Sequence, residues 1–219
     1  MIDTLHLVLI AVGQVLWFVY LLNILTDKIT PVGRSAKTGS VVVLGVLGIL
    51  AESPSLIVIA LFISAIGDFA LTFKGHRAFL IGLVAFAVAH LFYINQFFVF
   101  VEIPQLVELS FYLRPESLFM IAMFIVGMVV IHPHAGSLKT SVFVYIAIIF
   151  TMGLFGLQLP FPFRLAALGV LLFIISDFLL GIREFRDIAN PMIDRLLAIG
   201  VWVFYWFGQF LILIGFIYP

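Results

Sequence analysis

Ser55-Leu-Ile-Val-Ile-Ala-Leu-Phe-Ile-Ser-Ala-Ile-Gly-Asp-Phe-Ala-Leu-Thr-Phe73 holds a single charge, Asp68, in a run otherwise apolar enough to cross a bilayer. A second run, Leu165-Ala-Ala-Leu-Gly-Val-Leu-Leu-Phe-Ile-Ile-Ser-Asp-Phe-Leu-Leu180, holds only Asp177. Each aspartate is followed by phenylalanine (Phe69, Phe178) and, six positions on, by a base (Lys74, Arg183). A lone carboxylate at membrane depth costs about 3 kcal/mol or more unless it is paired, protonated or wetted, so its default reading is functional. Two such residues in related surroundings point to one shared site.

The rest of the chain fits this frame. Of its 219 residues, 64% are hydrophobic and 10% charged, and the mean hydropathy is +1.30. A soluble domain is about half apolar and a quarter charged. The sequence therefore predicts an all-α polytopic membrane protein, a single integral domain over 1–219. Helices are the only element whose backbone is satisfied within one segment in lipid, and the runs are too long for barrel strands. Eight spans are expected: Leu5–Leu25, Lys37–Ala51, Ser55–Phe73, Ala78–Val101, Ser117–Ile131, Ser141–Leu157, Leu165–Leu180 and Leu196–Tyr218. The second and fifth are short. Met1-Ile2-Asp3 offers no basic region before the first run, which reads as a retained span rather than a secretory leader.

Basic residues test the count. Lys28, Arg34, Lys37, Lys74, Arg77, Lys139, Arg183, Arg186 and Arg195 fall in alternate connections, against Arg114 and Arg164 on the other side. Positive charge is retained on the cytoplasmic face, so both termini are expected outside the cytoplasm, across a bacterial inner membrane. Asp68 and Asp177 then lie on helices running the same way, each one or two turns from the cytoplasmic end. The chain reads as two four-helix halves, roughly 1–110 and 111–219, in parallel repeat.

Polar residues at helical spacing converge on this site. Ser64, Asp68 and Thr72 share one stripe; His90 and Tyr93 share another, with Gln96 near it; Trp202, Tyr205 and Gln209 share a third. Such stripes face the bundle interior or a wet cavity. Blander readings exist. The aspartates could be structural partners of Lys74, Arg77, Arg183 or a helix N-terminus, His90 and Tyr93 could be packing groups, and Gln96 and Gln209 could be interhelical hydrogen-bond glue. His132-Pro133-His134 lacks a third ligand for a metal. The chain has no cysteine, which excludes thiolate chemistry and disulfides, and it has no phosphate-cradling glycine loop, serine elbow or HExxH motif.

The ordered series Gly67-Asp68, His90-Leu-Phe-Tyr93, Ser176-Asp177 and Tyr205-Trp-Phe-Gly-Gln209 resembles the YhhN-like family, which includes the lysoplasmalogenases. The family also tends to carry Lys-Pro near the start of its second span; here Lys37 is followed by Thr38. The resemblance implies an eight-helix membrane hydrolase with no metal and no cofactor. It would cleave the vinyl ether bond of lysoplasmalogen to a fatty aldehyde and a glycerophosphocholine or glycerophosphoethanolamine. Its partners would be a lysophospholipid, water and the surrounding lipid, not nucleic acid. Asp68 and Asp177 would be the working carboxyls. Ser64, His90 and Tyr93 would support Asp68, Tyr205 and Gln209 would support Asp177, and Lys37, Lys74 or Arg183 would hold the phosphate. The alternative is a proton- or ion-coupled transporter of a lipid or small amphiphile, with the aspartates as coupling groups.

Overall fold

The computed structural model describes residues 4–26 and 28–219, and no strand occurs among them. Met1-Ile2-Asp3, read above as no leader, lies outside the described residues. The order is α1 (Thr4–Leu25), α2 (Pro31–Leu50), α3 (Ser55–Leu71), α4 (His76–Phe98), the four-residue α5 (Leu109–Tyr112), α6 (Pro115–Val130), α7 (Lys139–Gly156), α8 (Arg164–Phe185) and α9 (Pro191–Ile217).

Seven stretches are long and apolar enough to cross a membrane: α1, α2, α4, Pro115–His134 around α6, Gly136–Gly156 around α7, Phe161–Phe185 around α8, and α9. This is the pattern of a multi-pass membrane protein. The eighth expected span, α3, has 17 residues. That is about 26 Å of helix, short of a hydrocarbon layer of about 30 Å.

Several helix starts and ends draw charged residues into the helices, while α3 and α4 stop short of their expected ends. The second span does not begin at Lys37 but six residues earlier. Thr30 caps α2 by accepting a hydrogen bond from the Gly33 amide at 3.0 Å, and Pro31 occupies the first turn, where no amide is needed. Lys37 and Arg34 thereby become helical residues rather than loop charges. α8 likewise continues through Arg183 and Glu184 to Phe185, and Arg186 then turns extended (φ −107°, ψ 140°). α9 starts at Pro191 under an Asn190 cap, so Asp194 and Arg195 lie in its first turns.

The polarity of the packing is inverted relative to a soluble protein. Large apolar side chains such as Val15, Phe69, Ile125 and Val129 face outward, while Lys37, Ser40, Ser64, Asp68, Thr72, His90, Ser176 and Gln209 are buried. α8 and α9 make the closest pair. A Cβ on Gly169 would sit 2.6 Å from the Gly208 carbonyl oxygen, and one on Gly208 would sit 2.9 Å from that of Gly169. Small residues let the two backbones touch where hydrophobic attraction between helices is absent.

The packing order of α1–α4 is largely matched by that of α6–α9. α2 follows α1 and precedes α3 in contact as α7 follows α6 and precedes α8; α3 packs on α4 as α8 packs on α9; and α2 meets α9 as α7 meets α4. One contact breaks the pattern. α1 packs against α9, whereas α6 makes no comparable contact with α4.

Candidate active site

Asp68 is buried and held by two groups from different parts of the chain. Lys37 Nζ on α2 lies 3.2 Å from Oδ1, and Tyr205 Oη on α9 donates to Oδ2 at 2.6 Å. The Lys37 ammonium also sits over the Tyr20 ring, 5.6 Å from its centroid. A buried charge is tolerated when it is paired and hydrogen-bonded, and this arrangement supplies both.

Asp177 is held by the corresponding helices of the other half. Tyr145 Oη on α7 donates to Oδ2 at 3.2 Å, and His90 Nε2 on α4 lies 3.1 Å from the same oxygen. The histidine contact has ion-pair distance without in-line hydrogen-bond geometry, since Nε2 makes no geometrically formed bond. His90 Nδ1 bonds the Phe86 carbonyl oxygen. A carbonyl only accepts, so Nδ1 carries a proton, and in the neutral ring Nε2 is left as an acceptor.

The two clusters share a register. Lys37 and Tyr145 are each the seventh residue of their helix. Asp68 and Asp177 are each the fourteenth residue of the next one. His90 and Tyr205 are each the fifteenth residue of the helix after that. Each carboxyl thus takes one partner from its own half and one from the opposite half, and no hydrogen bond joins the carboxyls among the described residues. Rings lie between them: Phe173 stands 4.8 Å from His90 and 5.4 Å from Tyr205, and Phe86 5.5 Å from Tyr205.

Both aspartates line one cavity of about 730 Å³. It extends to the end of the bundle where Arg34, Lys74, Arg183 and Glu184 gather, the basic side read from the sequence. A second, narrow pocket of about 70 Å³ lies between α4, α6, α7 and α8. Its walls are apolar, Met123, Phe124, Ile149 and Phe150 among them, except for Asp177 and Tyr145. Asp177, Phe79 and Leu180 line both spaces, so the Asp177 carboxyl stands where a polar cavity meets a greasy one.

The remaining expected site residues separate. Tyr205 supports Asp68 and His90 supports Asp177, the reverse of the expected assignment, because the fourth helix of each half reaches across to the other. Tyr93 donates to Gln209 Oε1 and neither lines the cavity; the pair ties α4 to α9. Ser64 is buried one turn from Asp68, without a hydrogen-bond partner and away from both spaces. Lys37, expected as a phosphate ligand, is spent on Asp68. Arg183, also expected there, is held by Asp194, with Nε at 2.7 Å and Nη2 at 3.1 Å from its two oxygens. Lys74 is exposed at the cavity rim. His134 Nε2 lies 3.2 Å from Arg186 Nη1, and no cluster of three metal-ligating side chains occurs among the described residues. Tyr145 was not among the expected residues. It is a tyrosine where the first half has a lysine, so no residue identity marks it; only its register does.

Comparison with known proteins found no match among curated proteins or among solved structures. The model of the YhhN family matches residues 32–216, which span all six helices that contribute to the two carboxyl clusters. The chain belongs to the YhhN family.

Proposed function

We propose that the protein is a lysoplasmalogenase-type hydrolase that cleaves the vinyl ether bond of a lysophospholipid inside the membrane. The observation that carries this reading is the placement of Asp177 at the junction of a polar cavity and an apolar pocket. An amphiphile laid across that junction has its head toward the basic end, its chain between α6 and α7, and the bond joining them beside a carboxyl. The matched registers of the two clusters support a parallel repeat, with α3 as a short eighth span and both termini on one side.

A vinyl ether resists nucleophiles but accepts a proton at its outer vinylic carbon. That step leaves an oxocarbenium ion. Water adds to the carbon bearing the oxygen and loses a proton, giving a hemiacetal. Breaking the bond from that carbon to the glycerol oxygen then releases a fatty aldehyde and a glycerol hydroxyl. The reaction needs one proton donor and one fixed negative charge near the cation, as glycosidases also do. The two clusters divide these roles. Asp177, which lines the apolar pocket and lies 3.1 Å from His90 Nε2, is assigned the proton transfer to carbon. Asp68, 3.2 Å from the Lys37 ammonium and bonded by the Tyr205 hydroxyl, is assigned the preorganised negative charge beside the cation.

Incubating the purified protein with vinyl ether, alkyl ether and ester lysophospholipids tests the reading. Aldehyde is expected from the vinyl ether alone. Fatty acid from the ester, or flux across proteoliposomes without any chemical product, would overturn it in favour of an esterase or a transporter.

A further inference from the structure

The cations at the wide end of the cavity are not equivalent. Lys37 is committed to Asp68 and Arg183 to Asp194. Arg34 is different. It lines the cavity, its guanidinium lies 4.6 Å over the Phe73 ring, and its Nε is buried with no hydrogen-bond partner. It makes no ion pair with a described carboxylate. The ring fixes the plane of the guanidinium and leaves its donors to a ligand. A planar fork held this way matches two phosphate oxygens, which an exposed, strongly hydrated lysine such as Lys74 does not.

A carboxylate stands at the same end, with the adjacent Arg183 as its nearby cation. Glu184, in the last turn of α8, lines the cavity and makes no ion pair among the described residues; its neighbour Arg183 is turned to Asp194. The spacing along the helices orders these charges. Arg34 is three residues, about 4.5 Å of helix, nearer the mouth than Lys37, and Glu184 is seven residues, about 10 Å, beyond Asp177. In a lysophospholipid the phosphorus lies five bonds, about 6 Å, from the oxygen on the first glycerol carbon, and the amine lies farther out again. Arg34, Glu184 and Asp177 line one cavity, and Asp177 also lines the apolar chain pocket.

We infer that Arg34 and Glu184 recognise the two charges of a zwitterionic lysophospholipid head, Arg34 the phosphate and Glu184 the ammonium. The inference deepens the function proposed above and rests on it, so its test reads binding rather than turnover. Purified protein in maltoside is titrated with four uncleaved ligands. These are alkyl-ether lysophosphatidylcholine, alkyl-ether lysophosphatidic acid, alkylglycerol without phosphate, and glycerophosphocholine without a chain. Arg34→Gln is expected to weaken both phosphate lipids about tenfold or more while leaving alkylglycerol unchanged, with Arg34→Lys in between. Glu184→Gln is expected to weaken the choline lipid several-fold and spare lysophosphatidic acid. Unchanged phosphate-lipid binding by Arg34→Gln, or an equal loss for alkylglycerol, overturns the phosphate assignment. Equal losses of the choline lipid and lysophosphatidic acid by Glu184→Gln overturn the ammonium assignment. Glycerophosphocholine binding as tightly as the alkyl-ether lipid overturns the lipid character of the site. The expected binding pattern without aldehyde from a vinyl ether lipid would remove the reaction and keep the head-group site; aldehyde release with Arg34→Gln binding unchanged would do the opposite.

Discussion

The Asp68 and Asp177 clusters use the same three registers on matched helices and fill them with different chemistry. Around Asp68 the seventh-residue partner is a lysine and the cross-bundle partner a tyrosine; around Asp177 they are a tyrosine and a histidine. The first set surrounds Asp68 with an ammonium 3.2 Å away and a hydroxyl donating at 2.6 Å. The second set places a neutral hydroxyl at 3.2 Å and an imidazole at 3.1 Å against Asp177, with no ammonium beside it. A second asymmetry sits beside this. α1 closes against α9, but α6 does not close against α4 in the same way, and the apolar pocket lies in the space this leaves, against Asp177 and not Asp68. The two carboxyls thus sit at matched helix positions in different surroundings.

The comparison can be broken most severely at the carboxyls. On the proposed mechanism Asp177→Asn removes the proton donor and Asp68→Asn the fixed charge. Each is expected to lower aldehyde release about a thousandfold or more, with the protein still monodisperse in detergent. The partners should then separate the halves. Lys37→Met leaves a buried carboxylate unpaired and should cost about 3–5 kcal/mol of stability, read as a large drop in melting temperature. Adding Asp68→Asn to Lys37→Met should restore much of it. His90→Phe removes the imidazole that lies 3.1 Å from Asp177 and leaves the Tyr145 hydrogen bond in place. It should leave the melting temperature near wild type while lowering kcat about a hundredfold with little change in KM. Tyr145→Phe removes one neutral donor and is expected to cost about 1 kcal/mol, roughly fivefold in rate. The smallest effect is expected from filling the asymmetric pocket. Met123→Trp should shift preference toward shorter chains by a few-fold, measured as kcat/KM across a chain-length series, while activity on the shortest chain is kept.

Much of the fold was legible because the signal was composition and length: long apolar runs with charges gathered between them leave only membrane helices. What failed was the treatment of charge as a boundary. Lys37 and Arg183 read as segment ends, yet both are helical, Lys37 because Asp68 neutralises it in the interior and Arg183 because Asp194 meets it at the surface. α3 shows the converse. Its apolar run is clear, but the helix is 17 residues long and Thr72 and Phe73 fall outside it. The aspartates stood out because an isolated carboxylate in an apolar run has few neutral explanations. Their partners did not. Tyr145 is an aromatic in an aromatic-rich chain, and the crossing of α4 and α9 that gives His90 to Asp177 and Tyr205 to Asp68 is a tertiary fact with no local trace. Pairing by sequence neighbourhood therefore assigned each to the other carboxyl.

The central claim is that a carboxyl at the cavity junction protonates carbon. The most direct measurement is turnover of a vinyl ether lysophospholipid by the purified protein in D2O, with the aldehyde trapped as it forms and its mass and label position read. The account predicts one deuterium on the carbon next to the carbonyl, a slower rate than in H2O, and loss of the product in Asp177→Asn. Aldehyde without deuterium at that carbon, or labelled aldehyde formed at the wild-type rate by Asp177→Asn, would contradict it.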